Sequence, residues 1–126
     1  MKNIDDKKLI TAIILLLVFV VIYFVFNTAF RKNALTLILD FGNGSQKTFY
    51  NYSQEEKNAW GVLQQVAIIS SLDLQASPGF FPKKIDGRAN GEENKLWNLY
   101  VNGVKQEASP IDIKVNVPDK VIYKFE

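Results

Sequence analysis

Histidine and cysteine, two side chains that are common in catalysis, are both absent from this sequence. The absence of histidine removes the commonest general base and transition-metal ligand. Together the two absences exclude Ser-His and Cys-His mechanisms. Ser70–Ser71 lack both a base and a glycine-rich nucleophile elbow. The carboxylates are the next side chains to consider.

The carboxylates stand where structural roles explain them. Glu55–Glu56 are predicted to open a helix, where acidic side chains interact favourably with the helix dipole. Glu92–Glu93 lie in a polar, glycine-containing segment over 88–95, which predicts an exposed loop. Asp86 and Asp119 occupy turn positions, which aspartate favours for backbone reasons. The calcium-loop pattern is absent, so we expect no enzyme, no bound metal and no cofactor.

A long apolar run fixes the organisation of the chain. Residues 9–26, LITAIILLLVFVVIYFVF, contain no charge and have Thr11 as their one polar break. A hydrocarbon core about 30 Å thick needs roughly 20 apolar residues in a helix. A cleavable signal peptide would have a shorter run and a small-x-small cleavage site, and a core helix apolar all round would need a larger protein. We therefore predict a single transmembrane helix over 9–30, which anchors the chain in the lipid bilayer.

The charges on either side of the run predict its orientation. Lys2, Lys7, Lys8 and the amino terminus precede it, whereas Arg31 and Lys32 follow it. Acidic residues count little in the positive-inside rule. We predict a single-pass cell-membrane protein with residues 1–8 in the cytoplasm and the carboxyl-terminal part extracytoplasmic.

Residues 33–126 are long enough for one small domain, joined to the helix by a short linker from Asn27 to Asn33. This domain contains ten basic and eleven acidic side chains, a net charge of −1. A nucleic-acid-binding domain would show a basic stripe of its own. We therefore expect no nucleic-acid partner.

The first half of the domain has the pattern of a hairpin followed by a helix. Apolar side chains alternate over 35–41, which predicts a strand. Gly42–Ser45 supply turn residues, and 46–52 are predicted to form the second strand of the hairpin. Ser53 and Glu56 have the spacing of a capping box. The helix it predicts has an apolar stripe formed by Ala59, Val62, Leu63, Val66, Ala67 and Ile69.

The second half predicts further strands. Phe80 and Phe81 lead through Ile85 to a turn, and residues 97–101 alternate before Asn102–Gly103, the strongest hairpin signal in the chain. Another alternating stretch covers 111–115, and 121–125 form the closing strand. This order predicts an α+β domain with a β-grasp-like mixed sheet and one packed helix, preceded by the transmembrane helix.

One segment resembles a known family. WNLYVNG at 97–103, preceded by Ile85-Asp86-Gly87 and followed by a terminal strand with Tyr123, is similar to the transcobalamin-like C-terminal domain. The resemblance covers roughly residues 35–126 and implies a β-grasp-like bacterial surface domain that binds a small ligand or a protein surface. It does not imply cobalamin binding, because the carriers hold cobalamin between two domains and only one is present here.

Four residues are candidates for contact with that ligand or partner. Trp97 alternates onto the predicted core face, which leaves Tyr100 and Asn98 on the opposite face of the sheet. Phe80 and Phe81 are expected on opposite faces of one strand, so that one of them is exposed. An exposed phenylalanine beside Trp60 or Tyr100 would form an apolar patch of the kind that marks a binding site.

Two functions remain open at this point. The first is a non-catalytic, membrane-anchored extracytoplasmic module that binds a small ligand or a protein partner. The second is an accessory structural subunit of a membrane or cell-surface assembly. A ligand module should contain a concave pocket with aromatic lining, whereas an assembly subunit should offer a flat apolar patch or an unpaired sheet edge.

Overall fold

The amino-terminal helix α1 extends over Asp6–Lys32 in the computed structural model, which describes residues 5–126 apart from the side chains of 30–32. Its apolar side chains are exposed along its length, unlike those of a core helix. The helix is long and apolar enough to cross a membrane, and a signal sequence would have the same features. Because α1 continues to Lys32, the predicted linker from residue 27 is wrong for 27–32. Lys2 and the side chains of residues 31 and 32, which enter the orientation prediction, lie outside the described part.

Residues 33–126 form a second compact unit with the predicted α+β architecture. Its main sheet has five strands, which are β1 (Leu35–Asp40), β2 (Gln46–Asn51), β7 (Trp97–Val101), β8 (Val104–Gln106) and β10 (Lys120–Phe125). Their order in the sheet is β2-β1-β10-β7-β8. The central pair β1–β10 is parallel and the other pairs are antiparallel, so the sheet is mixed as predicted.

Helix α2 (Ala59–Ile69) packs on one face of this sheet, and the core lies between them. The alternation of β1 is confirmed, since Leu35, Leu37 and Leu39 are buried and the residues between them are half-buried. Helix α2 contributes Leu63 and its neighbours, and the alternate residues of β7 and β10 complete the layer. Trp97 is in this core as predicted. The other face of the sheet is partly exposed along β1, β7 and β10.

The start of α2 differs from the prediction, and the capping box at Ser53 and Glu56 is wrong. The N-cap is Asn58, whose side-chain oxygen accepts a hydrogen bond from the Gly61 amide at 2.6 Å. The preceding residues form the short strand β3 (Lys57–Asn58), which pairs with β9 (Lys114–Val115). This non-local pairing holds 57–58 extended, so the helix begins at Ala59 and Glu55–Glu56 do not open it.

The end of α2 also differs from the prediction. One row of the apolar stripe runs from buried Val62 through half-buried Val66 to Ile69, which is 74% exposed. Residues three or four positions apart lie along one side of a helix. Near the carboxyl end of α2, this side no longer faces the sheet. Ile69 is therefore a surface residue and not the core residue that the stripe predicted.

A smaller antiparallel sheet lies between α2 and β7 in the sequence. It consists of β4 (Leu74–Ser77), β5 (Phe81–Ile85) and β6 (Arg88–Ala89). The predicted loop over 88–95 is therefore interrupted by β6 and by a 3-10 turn at Glu92–Asn94. Of the alternating stretch 111–115, only the residues of β9 form a strand, because a 3-10 turn occupies Pro110–Asp112.

The turn at Asn102–Gly103 is confirmed. Both residues have positive φ, 50° and 82°, as a type I′ hairpin turn requires. The Asn102 side chain also ties this turn to the next one: its amide nitrogen donates to Asp119 at 2.9 Å, and its oxygen accepts from the Lys120 amide at 2.9 Å. The asparagine of the W-x-x-Y-V-N-G motif therefore has a structural role.

Candidate functional site

A groove of about 740 Å³ lies beside the carboxyl-terminal half of α2. Helix α2 forms one wall, residues 71–73 form the end, and β4 with the turn at 78–80 forms the other wall. The aromatic part consists of Trp60 and Phe80, whose ring centroids are 5.9 Å apart with their planes tilted by 60°. Trp60 is buried, whereas Phe80 is 47% exposed and can contact a bound molecule directly.

The groove exists because the turn before β5 places Phe80 over Trp60. Gly79 and Phe80 both have positive φ, 82° and 60°, a conformation that glycine adopts freely and phenylalanine rarely does. Two serines hold the turn. The Ser109 hydroxyl donates to the Gly79 carbonyl, and the Ser77 hydroxyl donates to the Phe81 carbonyl at 3.0 Å. Phe80 therefore points into the groove from a fixed turn.

The groove is close to electrically neutral. Its one charged lining residue is Asp73, whose carboxylate is paired with the Lys84 ammonium at 2.9 Å. The other polar groups of the lining are the Gln64 amide and the Ser71 hydroxyl. A groove with aromatic and aliphatic walls and a few hydrogen-bonding groups is typical of small-molecule sites. Its neutral lining favours an uncharged, amphipathic ligand or an apolar side chain.

Phe80 and Phe81 are arranged differently from the prediction. They were expected as neighbours within one strand, but Phe80 lies in the turn and only Phe81 belongs to β5. Both remain partly exposed, and Phe80 alone of the two lines the groove. The left-handed backbone at Phe80 changes the direction of its side chain, which simple strand alternation cannot anticipate.

Tyr100 and Asn98 lie elsewhere, on the half-exposed face of the main sheet that is opposite α2. A shallow depression of about 360 Å³ on this face is lined by Tyr100, Ile38 and Ile122, with charged side chains around them. The Asn98 amide donates to the Leu96 carbonyl at 3.4 Å. The structure therefore separates the four candidate residues, because Phe80 faces the groove and Tyr100 lies across the sheet from it.

The hydroxyl of Tyr100 is already engaged. It donates a hydrogen bond to the Glu126 carboxylate, and this bond raises the pKa of Tyr100 above its usual value. Glu126 also pairs with the Lys124 ammonium at 2.8 Å, which together with the Tyr100 bond lowers the pKa of Glu126; the same pair raises the pKa of Lys124. Tyr100 is therefore part of a surface network, and its ring is the part left for a partner.

Residues 88–95, which were predicted as an exposed loop, make contacts on the core side of β7. Asn90 accepts from the Trp97 amide at 2.8 Å, and the Trp97 indole donates to the Arg88 carbonyl at 2.9 Å. The Arg88 guanidinium also lies 5.9 Å from the centre of the Phe125 ring. This segment therefore supports the core and does not extend the Tyr100 surface.

Sequence reasoning missed most of the groove. It singled out Phe80, and it named Trp60 only as a neighbour that an exposed phenylalanine might meet. Gln64, Ile68 and Leu72 line the same groove, and no motif marks them. The signal that could have found them is the charge-free segment 59–72, which is longer than the buried stripe of α2 needs. Over residues 5–126, the structure brings together no group of three or more acidic side chains that could hold a metal ion.

The chain is similar in fold to a solved structure. This is the crystal structure of a protein from Ruminococcus gnavus ATCC 29149, described as a putative metal binding protein. The two sequences are 12% identical, the TM-score is 0.57, and the similarity covers 75% of this chain and 96% of the other. At this identity the likeness shows the fold alone. No family model matches the sequence, and no curated protein matches it.

Proposed function

We propose that this chain is a non-catalytic, membrane-anchored binding module, whose extracytoplasmic domain holds a small ligand or an apolar segment of a protein partner in the groove beside α2. The observation that carries the proposal is the pair of Trp60 and Phe80 in a groove of about 740 Å³. Concavity with aromatic lining is the feature that separates a ligand module from a structural subunit.

The anchor is supported by α1. A helix of 27 residues, apolar and exposed over 9–26, fits a bilayer better than it fits water. The excess of positive groups before the apolar run favours an amino terminus in the cytoplasm and a domain on the outer face of a bacterial membrane. On this proposal the groove is presented to the extracytoplasmic space.

We further propose that the domain is a β-grasp domain of the transcobalamin-like C-terminal type. The sheet order supports this. The strands β1 and β10, which are the first and last of the main sheet in the sequence, form its parallel central pair, and α2 lies between β2 and β7 in the sequence. The W-x-x-Y-V-N-G segment at 97–103 supports the family resemblance. Metal binding is not part of the proposal, because no acidic cluster in the described chain supports it.

The proposal is tested by titrating the full chain in phosphatidylcholine nanodiscs with a panel of small aromatic and aliphatic compounds. Tryptophan fluorescence is the readout, since Trp60 borders the groove and Trp97 is in the core. We expect at least one compound to cause a saturable change that is lost in Phe80→Ser, which removes the exposed ring and keeps Trp60 as the reporter. Tyr100→Ser is the matched control and should retain it. Cobalamin belongs in the panel, and we expect no binding of it in the micromolar range.

Equal loss in Tyr100→Ser would move the site to the opposite face of the sheet. A panel without any saturable response, combined with self-association of the chain, would favour the second function, an accessory structural subunit. One observation supports that alternative: β2 is an edge strand of six residues, and its outer side is a possible pairing surface.

A further inference from the structure

The most exposed apolar side chains of residues 33–126 lie at the carboxyl end of α2. Ile68 is 73% exposed and Ile69 is 74% exposed. Ile69 borders a depression of about 240 Å³ between α2 and β2, where Tyr50, Tyr52 and Val66 also lie. Tyr52 is itself 52% exposed. We call Tyr50, Tyr52, Val66 and Ile69 the Ile69 patch.

The depression at the Ile69 patch has an uncharged lining. Every residue that lines the depression is uncharged, and so is every residue of the two segments that form it, 48–54 and 59–72. The remaining polar groups are amides and hydroxyls, such as the Asn51 amide, which donates to Gln65 at 3.2 Å. The domain has 21 charged side chains in 94 residues, and none of them lines the depression. Tyrosine is enriched at the membrane–water interface, and apolar side chains can be buried at the boundary between lipid headgroups and acyl chains.

The chain itself limits how far this patch can lie from a membrane. Leu35 lines the same depression as Ile69 and is the third residue after Lys32, the end of α1. Three residues span at most about 11 Å. The apolar run ends at Phe26, and the six helical residues from there to Lys32 rise about 9 Å. The headgroup zone on each side of a bilayer is about 5–8 Å thick. The end of the domain that carries Leu35 and Ile69 is therefore tethered within reach of the lipid interface.

We propose that the Ile69 patch inserts into the interface of the membrane that α1 spans, so that the domain is held at the lipid surface at a second point. This inference rests on the membrane anchor of the proposed function, and it does not depend on the groove ligand or on which side of the membrane the domain lies. The partner is the bilayer, contacted by apolar and aromatic side chains.

The absence of cysteine gives a direct test with the full chain in phosphatidylcholine liposomes. Ser70→Cys places an environment-sensitive fluorophore beside the Ile69 patch. Ser45→Cys is the same substitution in the turn after β1, at the other end of that strand. Val18→Cys places the fluorophore within α1. Quenching by doxyl groups on the lipid acyl chains and by aqueous iodide is measured for each.

We expect the label at 70 to be quenched by the doxyl lipids and to be several-fold less accessible to iodide than the label at 45. Adding Ile69→Glu should restore iodide access at 70. Leu96→Glu, which changes another exposed apolar residue next to the far end of β10, should leave it unchanged. If the label at 18 is in lipid and the label at 70 behaves like the one at 45, this inference is overturned while the anchor stands. A label at 18 that the doxyl lipids do not quench would overturn both.

Discussion

The phenol of Tyr123, in the last strand, donates a hydrogen bond of 2.8 Å to the carbonyl oxygen of Ala59, the first residue of α2. Both residues are buried. The bond joins the centre of the main sheet to the start of the helix that packs on it. Burial raises the pKa of Tyr123 above its usual value.

Tyr123→Phe should reduce the free energy of unfolding by about 1–3 kcal/mol, because it leaves the Ala59 carbonyl buried without its partner. Chemical unfolding of the full chain in nanodiscs, followed by tryptophan fluorescence, measures this loss, since both tryptophans lie in 33–126. Tyr100→Phe is the matched control because its hydroxyl is at the surface, and a smaller loss is expected. Equal losses in the two variants would contradict the role given to the buried bond.

The raised pKa of Tyr123 predicts a loss of stability at alkaline pH. The folded-state pKa lies above the unfolded value of about 10, so the stability is fully present below pH 10 and falls as the pH rises above it. Unfolding curves at a series of alkaline pH values should show this fall in the wild type and a shallower one in Tyr123→Phe. The same slope in both would assign the pH dependence to other groups.

Trp97→Ala should reduce the free energy of unfolding by about 3–5 kcal/mol, the usual range for truncating a buried aromatic side chain. Its ring packs edge-on against Phe41 and tilted against Phe125, with centroids 5.6 and 5.2 Å away, and its indole donates to the Arg88 carbonyl. Small domains have about 5–15 kcal/mol in total, so the variant should be close to unfolding. Fluorescence of the remaining Trp60 follows the transition. Tyr100→Ser should leave the midpoint nearly unchanged, and a midpoint as low as that of Trp97→Ala would mean that Tyr100 is also part of the core.

Gly42→Ala should destabilise the domain more than Gly44→Ala. Both glycines have positive φ, 70° and 82°, which costs an alanine about 1–2 kcal/mol. A Cβ at Gly42 would also lie 2.1 Å from the backbone oxygen of Phe125, whereas one at Gly44 would meet nothing within 4 Å. Thermal unfolding of the two variants isolates the steric contribution. Equal midpoints would show that the turn shifts to accommodate the added methyl group at Gly42 without a loss of stability.

The elements that were predicted correctly depend on neighbours in the sequence. The β1–β2 hairpin, the closing strand and the Asn102–Gly103 turn follow from alternation and turn chemistry within a few residues. The start of α2 did not follow, because the pairing of 57–58 with 114–115 overrides the capping signal at Ser53. The groove could not be predicted from the sequence either, because it forms only when the left-handed backbone at Phe80 places the Phe80 ring over Trp60.

The proposed membrane topology leads to an expectation for intact cells. The mature protein should keep its amino terminus and resist extraction by alkaline carbonate, because α1 has the length of a spanning helix. Protease added to spheroplasts should remove the domain from Asn33 onward, whereas protease added after lysis should reach both sides. A soluble product that begins after Ala29 would contradict the anchor.

The central claim, that the groove beside α2 holds the ligand or partner, is tested most directly by photo-cross-linking in intact cells. Benzoylphenylalanine replaces Phe80 in one variant and Tyr100 in a second, because these two aromatic residues mark opposite faces of the sheet. After irradiation, the mass of the purified chain shows whether an adduct has formed and whether it has the size of a small molecule or of a protein. We predict a specific adduct from position 80 and none from position 100. An adduct from position 100 alone, or none from either position, would contradict the account.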